Sequence, residues 1–137
     1  TVTILESPPG TGKTTALPLE LLPLIRPGKK IAILEPRRIA AKNAAVRMSE
    51  AIQEKPGGKI GYRVRFESKI SKDTQIEFLT DGIFTKLILD DPELSDYDLI
   101  IFDEFHERRL ETDLCYALTK RTTEIFRSDL KIIIMSA

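Results

Sequence analysis

The sequence predicts an α/β domain with a mainly parallel β-sheet covered by helices on both faces. Two patterns indicate this class. Short apolar runs of strand length alternate with helix-forming segments along the chain. Most of these runs are continuously apolar, which is typical of parallel strands buried on both sides. With 137 residues, 42% of them hydrophobic, and no dividing linker, we expect a single domain over residues 1–137.

The predicted strands cover residues 2–5, 30–35, 60–67, 75–79, 97–103 and 131–135. The predicted helices cover residues 13–22, 37–54, 82–89 and 110–126. Pro18 predicts a kink in the first helix, and Pro36 ends the second strand. In the second helix, Ile39 and six further apolar residues fall mainly on one stripe. Residues 60–67 alternate, with Tyr62 and Phe66 on one side, which predicts one half-buried strand.

Composition limits the kinds of partner and compartment. Lys and Arg number 21, as do Asp and Glu, so any nucleic acid must be held by local contacts and not by a basic field. Cys115 is the only cysteine, which excludes an internal disulfide and favours a reducing, cytoplasmic compartment with this residue in the core. We expect no membrane association and, from the first and last residues, a piece of a longer protein.

The turn between the first strand and first helix is a candidate phosphate-binding loop. Glycines let successive backbone N–H groups face phosphate oxygens, and a helix N-terminus adds partial positive charge. Lys13 is expected to reach the terminal phosphates of a nucleoside triphosphate, and the Thr14 hydroxyl to bind Mg²⁺. An ordinary glycine turn followed by an exposed lysine is the alternative. The loop comprises Pro9, Gly10, Thr11, Gly12, Lys13, Thr14 and Thr15.

Two acids follow the apolar run at residues 99–102. The carboxyl ends of buried parallel strands are where open α/β sheets bind ligands. Asp103 is expected to hold Mg²⁺, and Glu104 to contribute to the metal site and to orient and deprotonate the attacking water. Solvated acids at a strand end are the alternative, which the upstream loop disfavours. His106, the only histidine, is either a surface residue or a sensor of the γ-phosphate.

Five segments resemble, in order, motifs of the DEAH-box branch of the superfamily 2 helicases, and most closely its bacterial HrpB-type members. Residues 103–106 (DEFH) are similar to the DEAH box. Residues 34–41 (LEPRRIAA) resemble motif Ia, residues 61–67 (GYRVRFE) the G-Y-x-x-R-F-E segment, and residues 80–83 (TDGI) motif Ib. Ser136 and Ala137 resemble the start of motif III.

The resemblance implies the first of two RecA-like domains of an ATP-dependent helicase or translocase. It implies ATP and Mg²⁺ as cofactors, and nucleic acid as the partner, RNA in preference to DNA. The second RecA-like domain is implied in the same chain, and Ser136 is implied to couple hydrolysis to strand movement. The implied contacts to the nucleic-acid backbone are Arg37, Arg38, Thr80, Asp81 and Gly82.

The implied nucleic-acid contacts have structural alternatives. The two arginines of motif Ia are otherwise solvated side chains, and Thr80 and Asp81 are otherwise helix caps. Arg63 and Arg65 share one face of the predicted strand, which is either its solvent side or part of the nucleic-acid site.

Two residues depart from the family pattern. Phe105 replaces the Ala of DEAH, and we expect it to pack and not to react. Ser7 replaces the first glycine of the phosphate loop, which changes no charge.

The family's arginine fingers belong to the second domain, and such a residue contributes about 10³–10⁵ in rate. We therefore predict that this chain alone binds nucleotide weakly and hydrolyses it very slowly. Another P-loop NTPase or small-molecule kinase, and a non-catalytic nucleotide-sensing module, are the alternative functions.

Overall fold

A seven-stranded sheet organises the chain and confirms the predicted fold class. The computed structural model describes residues 2–6, 13–105 and 109–136. The strands are β1 Val2–Glu6, β2 Lys30–Glu35, β3 Ile60–Val64, β4 Glu67–Lys69, β5 Ile76–Thr80, β6 Tyr97–Phe102 and β7 Lys131–Ser136. The helices are α1 Lys13–Leu21, α2 Arg38–Ala51, α3 Asp81–Asp90 and α4 Leu110–Ile125, and a 3-10 turn spans Leu22–Leu24.

The strands lie in the order β1-β7-β6-β2-β5-β3-β4. All neighbours are parallel except β3 and β4, which form an antiparallel hairpin. Every residue of β5 and β6 is buried, which explains why these runs carry no polar alternation. Because parallel strands share one direction, the segments that follow β1, β2, β5, β6 and β7 all start at the same edge of the sheet.

Helices cover both faces of the sheet. Small residues of α2 and apolar residues of α1 pack on one face, beside Ile31, Ile33 and Phe78. The other face carries α3 and α4, whose Phe84 and Cys115 are fully buried. Cys115 is thus a core residue, as expected. Within the described ranges, no helix has the length and apolar character needed to cross a bilayer.

The largest correction to the sequence prediction concerns residues 60–67. They form a hairpin and not one strand, because the chain reverses at Arg65 and Phe66. Phe66, predicted to lie on the same side of one strand as Tyr62, is 88% exposed, whereas Tyr62 is buried. A Cβ at Gly61 would overlap the backbone carbonyl of Lys69, so glycine permits the close approach of β4.

The predicted apolar stripe of α2 is also partly wrong. Ile39 is 74% exposed, and the buried face is formed instead by Ala41, Ala44, Ala45, Met48 and Ser49. The other predicted elements match the observed ones within three residues at each end.

A partly buried ion cluster at the start of β6 gives the fold a pH dependence. Asp98 Oδ2 accepts hydrogen bonds from the Arg26 side chain at 3.0 Å and from the Arg26 backbone N–H at 2.9 Å. Arg127 Nη2 donates to Asp98 Oδ1 at 3.1 Å. The hydrogen bond from Arg26, helped by that from Arg127, lowers the pKa of Asp98 to about 2.

Asp98→Asn is expected to reduce the free energy of unfolding above pH 4 and to have little effect near pH 2. A depressed folded-state pKa contributes stability above the unfolded pKa of about 3.9, and that stability is lost as the pH falls through the folded value. We expect the free energy of unfolding to fall by about 1 kcal/mol, since Arg26 is mostly exposed and solvent screens its ion pair with Asp98. Urea unfolding of the wild-type chain and of Asp98→Asn between pH 2 and pH 6 measures this difference. An equal difference at every pH would contradict the assignment to Asp98.

Candidate functional site

The predicted site residues that the structure describes gather at the carboxyl edge of the sheet. Phe102 pairs with Leu34, and Glu35 pairs with Thr80, so Asp103, Glu35 and Thr80 are level on three neighbouring strands. The Asp103 N–H donates to the Leu34 carbonyl at 3.0 Å, which continues this register past the end of β6. Neighbouring strands are about 4.8 Å apart, which separates the backbones of Asp103 and Thr80 by about 10 Å.

The strand that precedes the phosphate loop reaches the same edge from the other side. β7 lies between β1 and β6, so the carboxyl ends of β1 and β6 are also about 10 Å apart. Ser136 ends β7 and pairs with Glu6, the last residue of β1. The acidic strand end thus lies midway between β1, which leads into the predicted phosphate loop, and β5, which leads into the motif Ib segment.

Several predicted residues lie outside the described part of the chain. Pro9, Gly10, Thr11 and Gly12 are among them, as is His106. Lys13, Thr14 and Thr15 begin α1, but their side chains also lie outside the description. The predicted roles of these residues therefore stay predictions.

The two acids after β6 differ in environment. Asp103 is 4% exposed, and its Oδ1 accepts the backbone N–H of Glu104 at 2.9 Å. Glu104 is half-buried and has a φ of 57°, a left-handed conformation that is uncommon outside glycine. Strained backbone of this kind persists where the surrounding packing holds it, and it is concentrated at functional sites.

Phe105 supplies part of that packing. Its ring makes edge contacts with Phe102, at 6.1 Å between centroids, and with Tyr116 of α4, at 5.6 Å. Phe102 in turn contacts Tyr116 at 5.7 Å and Phe84 of α3 at 6.4 Å. The prediction that Phe105 packs is confirmed, and this aromatic cluster ties the residue after Glu104 to both helices on that face.

Phe105→Ala is expected to lower the free energy of unfolding by about 2 kcal/mol, because two aromatic edge contacts and part of a half-buried ring are lost. Chemical denaturation of the 137-residue chain measures this loss. Phe66→Ala is the matched control and should change stability by less than about 0.5 kcal/mol, since its ring is exposed. Equal losses in the two variants would contradict the packing role.

Glu35 is a site residue that the sequence analysis missed. It ends β2, is 3% exposed and forms a side-chain hydrogen bond with Asp103. Burial, with this hydrogen bond and the nearby negative charges, raises the pKa of Glu35 to about 10. The raised pKa favours the protonated form of Glu35, which can donate to the Asp103 carboxylate. An acid at the end of an otherwise apolar strand was the signal available in the sequence.

The donor set fits Mg²⁺ held jointly with a nucleotide. Within the described residues, no three His, Cys, Asp or Glu side chains are grouped so as to hold a metal by themselves. Mg²⁺ commonly uses only one or two protein carboxylates and takes its remaining ligands from phosphates and water. Asp103, held between Glu35 and the Glu104 N–H, is suitably placed for such a shared site.

A basic groove opens beside the start of α2. Its volume is about 860 Å³, and among the described residues that line it Glu67 is the one acid. Lys42 pairs with Glu67 at 3.0 Å. Lys42 and Arg47 were not predicted as site residues. A spacing of four residues places Lys42 one turn after Arg38, and the same spacing places Arg47 one turn after Asn43. The cationic lining residues are Arg37, Arg38, Lys42 and Arg47.

The hairpin separates the two arginines that the sequence prediction placed on one face. Arg65 lies in the turn, exposed, with its guanidinium 4.8 Å from the centre of the exposed Phe66 ring. Arg63 lies in β3 and pairs through Nε with the buried Glu77 at 3.2 Å. Glu77 also contacts Lys30 Nζ at 2.7 Å and accepts from the Tyr97 hydroxyl at 3.2 Å. Arg63 thus belongs to a buried ion network, whereas Arg65 faces solvent.

The three predicted contact residues of the motif Ib segment differ in burial and in hydrogen bonding. Thr80 is the N-cap residue of α3, but its side chain makes no capping hydrogen bond. Asp81 is 2% exposed, and its Oδ2 accepts a hydrogen bond from the Thr112 hydroxyl at 2.6 Å. The Asp81 carboxylate thus faces α4 inside the domain, and a contact of this residue with nucleic acid stays a prediction. Gly82 is exposed.

Comparison with known proteins is consistent with this arrangement. The family model of the DEAD/DEAH box helicases matches residues 2–137, and the chain belongs to that family. Membership implies nucleotide binding.

Among individual proteins, the chain is 48% identical over 134 residues to the ATP-dependent RNA helicase HrpB of Escherichia coli, covering 98% of this chain and 17% of that relative. It is 42% identical over 130 residues to a probable ATP-dependent RNA helicase DHX35 homolog of Caenorhabditis elegans, covering 93% of this chain and 18% of that protein. The crystal structure of the E. coli DExH-box NTPase HrpB superposes with a TM-score of 0.94 at 47% identity, over 99% of this chain and 17% of that one. The chain therefore spans less than a fifth of the length of these relatives.

Proposed function

We propose that this chain is the ATP-binding, first RecA-like domain of an ATP-dependent nucleic-acid helicase or translocase. The observation that carries the proposal is the position of the acidic strand end. Asp103 lies between the strand that leads into the phosphate loop and the strand that leads into motif Ib, about 10 Å from each. One edge of the sheet thereby holds groups suited to ATP hydrolysis beside groups suited to binding a polyanion.

In the proposed hydrolysis, Glu104 orients the attacking water and accepts its proton. Thr14 and Asp103, with Glu104 nearby, would hold Mg²⁺. Mg²⁺ supplies charge stabilisation at the phosphate oxygens when bound. Glu35 holds the Asp103 carboxylate in place through the hydrogen bond between the two side chains. Lys13, with the backbone N–H groups of residues 10–15, binds the phosphates, and His106 senses the γ-phosphate.

The basic groove and the hairpin turn support nucleic-acid binding by this domain. Arg37 and Arg38 stand where α2 begins, so side-chain donors and a helix N-terminus can meet one phosphate. Thr80 and Gly82 extend the same edge, and Asp81 supports them from inside. Arg65 and Phe66 add a cation and an exposed ring of the kind on which bases stack. We propose RNA as the strand, since both named relatives are RNA helicases.

Two further proposals concern the parent protein. A second RecA-like domain in the same chain supplies the arginine fingers. Ser136 couples hydrolysis to movement between the two domains. This chain alone is then nearly inactive. We also propose a cytoplasmic location, for which the single buried free thiol is the supporting observation.

ATPase rates of the full-length protein test the proposal directly. We expect stimulation by single-stranded RNA that exceeds stimulation by single-stranded DNA, and a low rate without polymer. Arg38→Ala should weaken the stimulation by RNA and the stimulation by DNA. Arg121→Ala is the matched control, because Arg121 is an exposed arginine on α4 outside the groove. No stimulation by either polymer would contradict a helicase and favour a different P-loop enzyme. No hydrolysis under any condition would favour a nucleotide-sensing module.

A further inference from the structure

A buried polar cluster joins the first turn of α3 to the first two turns of α4. The Thr112 hydroxyl donates to Asp81 Oδ2 at 2.6 Å, and both residues are at most 3% exposed. The Cys115 thiol and the Thr85 hydroxyl both donate to the backbone carbonyl of Asp81, at 3.4 and 3.0 Å. Asp81 therefore accepts hydrogen bonds from α4 at its side chain and at its backbone carbonyl.

Among the side chains that the structure describes, Thr112 is the one that donates a hydrogen bond to the Asp81 carboxylate. Asp81 Oδ1 is buried and has no hydrogen-bond partner in the part of the chain that the structure describes. Burial raises the pKa of Asp81, while the hydrogen bond from Thr112 acts in the opposite direction. Because a buried carboxylate without donors is costly, any displacement of α4 relative to α3 is opposed at this point.

The cluster lies between the two parts of the proposed site. Asp81 directly follows Thr80, which is level with Asp103 on the carboxyl edge. α4 begins six residues after Glu104, and its Tyr116 contacts Phe105, the neighbour of Glu104. One helix thus contacts the residue beside the proposed catalytic acid and the residue beside the proposed nucleic-acid contact.

We propose that Thr112 is a positioning residue that couples nucleic-acid binding at motif Ib to the placement of Glu104, through its hydrogen bond to Asp81. This inference rests on the proposed function. When Thr80 and Gly82 bind a phosphate, the start of α3 shifts or becomes more rigid, and the Asp81–Thr112 hydrogen bond passes this change to α4. The packing of Tyr116 on Phe105 then passes it to the backbone of Glu104.

The test compares ATPase rates of the full-length protein with and without single-stranded RNA. Thr112→Val removes the hydroxyl at nearly constant volume, and Thr112→Ser restores it. Thr119→Val is the matched control, because Thr119 is also fully buried on α4 but donates within its own helix, to the Cys115 carbonyl at 2.7 Å. The decisive quantity is the ratio of the RNA-stimulated rate to the basal rate.

We expect Thr112→Val to lower this ratio at least about fivefold, the lower end of typical allosteric couplings, with the basal rate unchanged. Thr112→Ser should restore most of the ratio, and Thr119→Val should keep it. An unchanged ratio in Thr112→Val, or an equal loss in Thr119→Val, would overturn the proposal. A wild-type protein without RNA stimulation would instead contradict the proposed function, and this inference with it.

Hydrogen exchange on the wild-type protein gives an independent answer if Thr112→Val fails to fold. Saturating single-stranded RNA, added without nucleotide, should slow amide exchange in the first two turns of α4. The last turn of α4, near Ile125, serves as the internal reference. Binding of RNA with no change in the first two turns would overturn the coupling role, while the proposed function would stand.

Discussion

Glu104→Gln is expected to lower the rate of ATP hydrolysis by the full-length protein about 10²–10⁴-fold, the usual contribution of a positioned general base. Glutamine keeps the size of the side chain but accepts no proton from water at neutral pH. ATP binding should be retained, since the phosphates are proposed to be bound by the loop at residues 9–15 and not by Glu104. Steady-state ATPase rates and equilibrium binding of a fluorescent ATP analogue separate the two effects.

Glu124→Gln is the matched control for this experiment. Glu124 is an exposed glutamate on α4, away from the carboxyl edge of the sheet, and its replacement should leave both quantities unchanged. An active Glu104→Gln protein would contradict the assignment of Glu104 as the base. Loss of ATP binding together with hydrolysis would show instead that Glu104 holds the site together.

Glu77→Ala is expected to lower the free energy of unfolding of the 137-residue chain by about 3 kcal/mol, because breaking a buried ion pair leaves its partners uncompensated. Glu77 has no exposed surface and lies against Lys30, Arg63 and Tyr97. The value lies at the low end of the usual range since Lys30 and Arg63 each keep about a quarter of their side-chain surface in solvent. Urea-induced unfolding measures it.

Asp129→Ala provides the comparison. Asp129 also contacts two cations, Arg26 at 2.8 Å and Arg127 at 2.9 Å, but half of its side chain is exposed. Its loss should cost at most about 1 kcal/mol, as is usual for surface ion pairs. If both replacements cost the same, burial is not what makes the Glu77 network stabilising.

The central strands and the acidic strand end were predictable because their signals are local. A continuous apolar run predicts a buried parallel strand wherever it occurs, and β2 and β6 are such runs. The position of Asp103 at the ligand-binding edge then follows from strand direction alone. The family resemblance added the order of the motifs, which hydrophobic patterns do not contain.

The errors arose where local sequence carries no marker of the tertiary arrangement. The alternation at residues 60–67 continues through the turn, and Phe66 adopts a φ of 70° without the glycine that usually signals such a reversal. The inward direction of Asp81 depends on where α4 packs, which residues 80–83 do not encode. The raised pKa of Glu35 likewise depends on its burial and on Asp103, which is distant in sequence and adjacent in space.

The level arrangement of Asp103, Glu35 and Thr80 on three hydrogen-bonded strands constrains how any mechanical work is done. A parallel sheet with buried faces is stiff, so the spacing of about 10 Å between Asp103 and Thr80 is set by the backbone ladder and not by what is bound. Under the proposed function, this domain is therefore the rigid part of the machinery. Displacement of a bound nucleic-acid strand then comes from a second body that moves against this edge of the sheet.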